Sequence, residues 1–421
     1  MSRAAACAVC LALIAAAGLR AQESGNRVVL DHADSLIGRV VDGEQVKELI
    51  GNVQFTQGGT VVTCNRAIQH IASNIVSLSG EVVVVDSNMR MLTRRGSYDG
   101  NSRTAEAFEK VTVEDRNTTL TSEYGKYFAK EKKAYFRGNV ALEDTGSVLN
   151  ARELTYWRRD QRSEADGDVR IAGRHNRTVI EGGHFENYKD QHFSRMTLRP
   201  RLVRIDTSPG TPPDTLVVTS SAMESYQDST ERLIARDSVA VTRGEMAAEA
   251  GLGIFYTQSD SIILRKSPFV WYAAGRSQDN QVSGDSIFIK LVKRKLGTVH
   301  VRGDAFAVAR ADSGHPARFN QMSGQEITMN FSENKIRRID VERTATSLYY
   351  LFDGRKPNGL NKASGDRVTI HFKDGQISKL SILSGPEGQY FPEKMVRQRE
   401  SEFNLAGFNW RERRPGGRPR P

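Results

Sequence analysis

Residues 138–142 read Gly-Asn-Val-Ala-Leu, and 29 residues further on Gly167-Asp168-Val169-Arg170-Ile171 repeats the frame. Upstream, at the same step, lie Glu109-Lys110-Val111-Thr112-Val113, Gly80-Glu81-Val82-Val83-Val84 and Gly51-Asn52-Val53-Gln54-Phe55. All five frames put valine at one position and an apolar residue two further on. A second series interleaves with the first. Tyr98, Tyr127, Tyr156 and Phe185 are also 29 apart, and Leu120–Tyr127 (LTSEYGKY) reads like Leu149–Tyr156 (LNARELTY). Each unit is therefore expected to hold two short strands of about six to eight residues, the first opened by a turn at its Gly.

Within a frame the pattern has period two. Val140 and Leu142 share one face, and Ala141 and Glu143 share the other. A unit of two short strands cannot bury its apolar face alone. The sequence thus predicts an all-β fold of tandem short-strand repeats, stacked into two facing antiparallel sheets across an apolar seam.

The period slips after Ile171, and the next frame, Arg201-Leu202-Val203-Arg204-Ile205, arrives late. Residues 207–214 (TSPGTPPD) form a turn-rich insertion. The pattern returns at Ser238–Val241. The last third has a longer repeat: Ser323-Gly324 and Ser364-Gly365 are 41 apart, as are Phe331 and Phe372, and Tyr349 and Tyr390. Asn334-Lys335 and Asp374-Gly375 are its expected hairpin turns. Periodicity ends at Gln398. The expected organisation is a signal peptide over 1–21, repeats over 22–207, a linker at 208–215, repeats again over 216–397, and a basic Pro/Gly/Arg-rich tail over 398–421 that packs no core.

Arg3 followed by the apolar run Ala4–Leu19, with Ala21 as the small residue before cleavage, has the anatomy of an export signal. Cys7 and Cys10 lie inside that run, which leaves Cys64 alone in the mature chain and no intramolecular disulfide. Hydrophobic residues at 38% and charged residues at 26%, with 36 glycines, fit many strands and turns rather than a polytopic membrane protein. The mature chain has 58 basic against 50 acidic side chains, and half of that excess sits after residue 410. So small a balance argues against nucleic acid as a partner.

Catalytic motifs are missing. No Gly-rich phosphate cradle, GxSxG elbow, HExxH or CxxC occurs. His175, His184 and His192 are spaced 9 and 8 apart, which matches no compact zinc signature. Glu164, Asp166 and Asp168 read as a solvated acidic turn. The pairs Glu114-Asp115 and Glu143-Asp144 recur at strand ends, whereas an active site is singular. The remaining candidate is the apolar stripe: Val53, Phe55, Val82, Val84, Val111, Val113, Val140, Leu142, Val169 and Ile171. It is either the core between two sheets or, where the sheets splay, a long groove for an apolar ligand.

The frames Gly-Asn/Asp-Val-x-apolar, alternating with Leu-x-Ala-x-x-Leu-x-Tyr at 149–156, resemble the OstA-like (LptA-like) family of lipopolysaccharide-transport proteins. The likeness runs over roughly residues 28–395. It implies a periplasmic β-jellyroll, open along one edge, that holds lipid acyl chains and has no catalytic role, cofactor or metal. It also implies lipopolysaccharide or lipid A as cargo and similar jellyrolls of the transport machine as partners. A stack of open sheets ends in unpaired strands, so end-to-end self-association is expected as well. The expected pairing edges are Asn52–Thr56 and Val368–Phe372. The alternatives are a structural or adhesive β-solenoid with a closed core, and a polysaccharide-processing β-helix enzyme.

Overall fold

The Gly-Asn-Val frames do not open strands; they bend long ones in the middle. The computed structural model describes residues 28–412 apart from 58, 87–88, 176, 208–212, 274–278, 293–294, 313, 334, 355 and 374–375. The expected leader, most of the turn-rich insertion, the end of the basic tail, and Asn334, Asp374 and Gly375 lie outside the described residues. Strands hold 75% of the described residues and helix 3%, so the fold is all-β as expected. The strand pairings are antiparallel, and they fall into two compact units. One is built from residues up to 200 with 224–227, the other from 201–223 and from 228 onward.

In the first unit β1 (Val29–His32) and β2 (Ser35–Val41) pair with the two halves of β3 (Glu44–Gln57). Neighbour-to-neighbour pairing then runs through β4 (Thr60–His70), β5 (Ile75–Asp86), β6 (Met89–Asp99), β7 (Thr104–Asp115) and β8 (Thr118–Phe128). It continues through β9 (Lys133–Glu143), β10 (Ser147–Trp157), β11 (Arg162–Gly173), β12 (Thr178–Tyr188) and β13 (Phe193–Thr197). One 29-residue repeat is two strands of 11 or 12 residues rather than the shorter ones expected.

The bend has a local cause. Gly138 and Asn139 take φ of 79° and 47°, and Gly167 and Asp168 take 79° and 49°. Two successive left-handed residues make a bulge, and the β9–β10 register shifts beside it, between Ala151 and Glu153. Gly, Asn and Asp suit this backbone for the reason they suit turns, which is why the frame reads as a turn in sequence. Gly138 is needed for space as well: a Cβ there would sit 2.5 Å from Glu123 Oε2. On either side of the bend, inward residues are buried: Ala134 and Phe136 before it, Val140 and Leu142 after it. The hairpin turns at one edge stack on one another. Gly100 N–H donates to Asn74 O at 3.0 Å, Ala129 N–H to Arg103 O at 3.1 Å, and Arg158 N–H to Lys132 O at 3.0 Å.

The second unit uses the same plan with longer strands. Lys335–Asp353 has 19 residues and Lys356–Lys373 has 18. Its bend at Arg343 and Thr344 lies 41 residues before the one at Ser384 and Gly385. The extra length beyond the bend is buried on both faces. Ala305 and Ala307 continue the inward positions, while Phe306 and Val308 point outward and are also buried. What covers the outward face is residues 393–411. Val396 and Leu405 join Phe306, Val308, Phe319, Leu348, Tyr350 and Leu360 in one buried cluster, with Phe403, Phe408 and Trp410 packed against it. Arg318 ties this strap down, donating to both Glu393 oxygens at 3.0 and 2.7 Å and to Glu400 at 3.2 Å. Periodicity does stop at Gln398, but the chain keeps packing as far as Arg411, because its apolar residues lie across strands and need no strand period.

The expected pairing edges are covered. Thr56, Phe55 and Gln54 pair with β1, and Val368–Phe372 pair with the strand Gln376–Leu383. Among the described residues, β1 and β2 of the first unit pair with β3 alone, and Gln376–Leu383 and Glu387–Phe391 of the second unit pair with Lys356–Lys373 alone.

Candidate functional site

The inward side chains of the first unit form rows that cross the strands. In the row beside the bend, Val53 faces Cys64, Val82 faces Thr93, Val111 faces Ser122 and Val140 faces Ala151. Valine on one strand thus meets a small residue on the next, which lets the row close tightly. The two hydroxyls are satisfied locally: Thr93 Oγ1 donates to Phe108 O at 2.7 Å and Ser122 Oγ to Tyr124 O at 3.1 Å. Burial pushes the Cys64 thiol above its ordinary pKa, partly offset by the Arg66 and Ser79 backbone.

A second row lies one inward position further from the bend. It runs Phe55, Val62, Val84, Met91, Val113, Leu120, Leu142, Leu149 and Ile171. Its exposure changes along the way. Phe55, Val62, Val84 and Met91 are half-exposed, and from Val113 to Ile171 every member is buried. Before the bend, a facing row runs from Leu49 through Ala67 and Leu78 to Gly96 and Ala107. Leu49, Val53, Cys64, Ala67 and Val82 form one buried cluster, with Phe55 and Leu78 against it. Residues on both sides of the bend therefore share one interior.

The ten stripe residues all point into this interior. Eight of them are at most 2% exposed: Val53, Val82, Val111, Val113, Val140, Leu142, Val169 and Ile171. Phe55 and Val84 are the half-exposed pair. Sequence reading missed Val62, Met91, Leu120 and Leu149, which complete the second row. The Leu-x-Ala series marked the strand of Leu149, but its facing partner could not be read without the register. Of the aromatic series, Tyr156 pairs with Ser163, whereas Phe185 pairs with Ala165 and so sits one inward position nearer the bend.

The polar candidates are dispersed. Glu164, Asp166 and Asp168 lie along β11 rather than in a turn, beside Arg162, His184 and Arg152 respectively. His175 contacts the Thr145 carbonyl at 3.1 Å. Asp144 accepts from the Gly146 and Ser147 backbone within its turn. Among the described residues, no group of three or more His, Cys, Asp or Glu is placed to hold a metal, and no helix is long and apolar enough to cross a membrane.

A protein-family model described as OstA-like protein matches residues 25–123. Over those residues the chain is similar to OstA-like proteins. The matched segment spans β1 through β7 and enters β8, so it contains the half-exposed part of the second row. OstA-like proteins are an envelope-associated transport and binding family. No curated protein matches the chain.

Proposed function

We propose that the protein carries lipopolysaccharide through the periplasm, with the acyl chains seated against the inward rows of the bent sheet. The observation that supports this most is the gradient along the second row. The interior is accessible at Phe55, Val62, Val84 and Met91 and closed from Val113 onward. An acyl chain entering at the accessible end replaces side-chain contacts with its own. Each CH₂ it buries returns about 0.8 kcal/mol, which offsets the separation of the closed rows. The OstA-like match over the same strands supports the cargo class. The partners in this reading are other OstA-like jellyrolls, joined end to end, and the chain acts without catalysis.

The test is a photo-crosslinking residue at Val84 or Phe55 against one at the outward neighbours Val83 or Gln54. Lipid adducts, read by mass spectrometry of the purified chain, are expected at the inward pair. Equal labelling of both pairs overturns the proposal. A closed β-solenoid scaffold is the second reading, favoured by the near-zero exposure of eight stripe residues. It requires that no lipid be captured at any inward position.

A further inference from the structure

The outward face of β8–β13 carries a row that the interior does not use. At its start Phe128 stands opposite Lys133, and Lys133 opposite Trp157. Further along, Trp157 stands opposite Arg162 and Arg162 opposite Tyr188. These groups touch. Lys133 Nζ lies 5.3 Å from the Phe128 ring centre and 5.7 Å from that of Trp157. Arg162 Cζ lies 4.9 Å from Trp157 and 5.5 Å from Tyr188. Rings and cations therefore alternate strand by strand, and Phe193 and Tyr226 extend the aromatic end.

Cross-strand packing alone accounts for large side chains on one face. It does not account for a cation between each pair of rings. Arg162 is paired with Glu164 and Glu186, but Lys133 makes no ion pair among the described residues. The adjoining turns add Lys130, Lys132, Arg158 and Arg159 against Glu131 and Asp160. The rings are half-buried. Wedges for a bilayer would have to protrude. A half-buried ring bordered by charge is a stacking surface instead.

We infer that this face binds an acidic polysaccharide laid across the strands. Phe128, Trp157 and Tyr188 sit on alternate strands, so their rings recur at about 9.6 Å, twice the interstrand spacing. That is close to the repeat of a disaccharide. Sugar ring faces stack on the aromatics, and the carboxylates or phosphates between them meet Lys133 and the basic turns. Glu186 and Thr155 lie one outward position nearer the bend and offer hydrogen bonds to sugar hydroxyls. This surface is on the side of the sheet away from the lipid rows and does not depend on the lipid reading.

The experiment is affinity electrophoresis of the full chain in gels containing oligogalacturonate or, as the neutral control, dextran oligosaccharide. Oligogalacturonate is expected to retard the chain and dextran is not. Trp157→Ala is expected to weaken retardation about tenfold, the size of one stacking contact. Lys133→Gln, which keeps most of the aliphatic stem, is expected to weaken it about threefold and to flatten its salt dependence. Lipid capture at Val84 stays as in the unaltered chain. The inference is overturned if the unaltered chain is not retarded, if Lys133→Gln binds as the unaltered chain does, or if anionic vesicles bind this face and the glycan does not.

Discussion

The side-chain amide of Gln281 pairs with the backbone of Arg411, donating to its carbonyl at 2.6 Å and accepting from its N–H at 3.0 Å. Trp271 Nε1–H donates to the same carbonyl at 3.1 Å. Gln321 does the same work further up the strap. It donates to Asn404 Oδ1 at 2.5 Å and accepts from the Leu405 N–H at 2.9 Å. Both glutamines are at most 2% exposed. They stand in for a neighbouring strand where the strap runs across the sheet and no strand can pair with it.

The first prediction follows from this clasp. Gln281→Ala strands a buried donor and weakens an acceptor, at a cost of about 1–3 kcal/mol to the second unit. Leu405→Ala leaves a cavity in the outward cluster and costs about 2–5 kcal/mol. Hydrogen exchange at the Arg411 and Leu405 amides should accelerate in the respective variants, while the amides of β9 and β10 keep their protection. Unchanged exchange at both strap amides would mean that the strap is not held in this way.

The second prediction concerns the bends. The bend in β7 is made by Glu109 and Lys110, with φ of 64° and 56°. A left-handed conformation costs an ordinary side chain about 1–2 kcal/mol, a cost that Asn largely avoids. Lys110→Asn, the residue found at the same place in β9, is expected to stabilise the first unit by about 1 kcal/mol in urea denaturation. Gly138→Ala should do the reverse, since its Cβ would collide with Glu123. A destabilising Lys110→Asn would show that the bend is not limited by backbone conformation.

These bends also mark how far the sequence could be read. The 29-residue frame identified which residues face inward, because Val140 and Leu142 keep period two after the bend. It misplaced the strand ends, because two left-handed residues have the same chemistry inside a strand as in a turn. The strap was illegible for a different reason. Val396, Leu405, Phe408 and Trp410 are set by contacts to strands far away in sequence, and no local period records such contacts. The half-exposed end of the second row was equally hidden, since Val84 and Val113 are equivalent in the repeat and differ only in what packs over them.

The third prediction is a pH dependence. The Tyr350 hydroxyl is buried without a hydrogen-bond partner among the described residues. Burial first, then the negative charge of Glu400, pushes its pKa up to about 12, with Arg318 acting the other way. In the unfolded chain a tyrosine ionises near 10. Above pH 10 the unfolded state therefore holds fewer protons than the folded one, and stability falls as pH rises from 10 toward 12. Tyr350→Phe should remove this part of the loss and be neutral or slightly stabilising at pH 7, because it deletes an unsatisfied group. The check is the denaturation midpoint of both chains at pH 7 and pH 11. A Phe variant that is clearly less stable at pH 7 would show that the hydroxyl is bonded.

The last prediction concerns the amino-terminal edge. Among the described residues β2 pairs with β3 alone, so its other side presents unpaired backbone groups. Leu36 and Val40 on this strand are 57% and 66% exposed, and Ile37 and Val41 on the opposite face are exposed as well. A strand that is apolar on both faces and open on one side is poorly suited to water, and it invites another sheet edge. In the second unit the strand Gln376–Leu383 likewise exposes Leu380 and Leu383. If these edges join copies end to end, Leu36→Lys with Val40→Lys should abolish self-association in sedimentation, since edge lysines oppose strand addition. The thermal midpoint should barely move, because surface changes of this kind stay within about 0.5 kcal/mol. A disulfide between Leu36→Cys and Leu383→Cys on separate copies should form in the otherwise unaltered chain and vanish when Val40→Lys is added. Crosslinking that survives the lysine, or self-association that ignores both lysines, would place the contact elsewhere on the molecule.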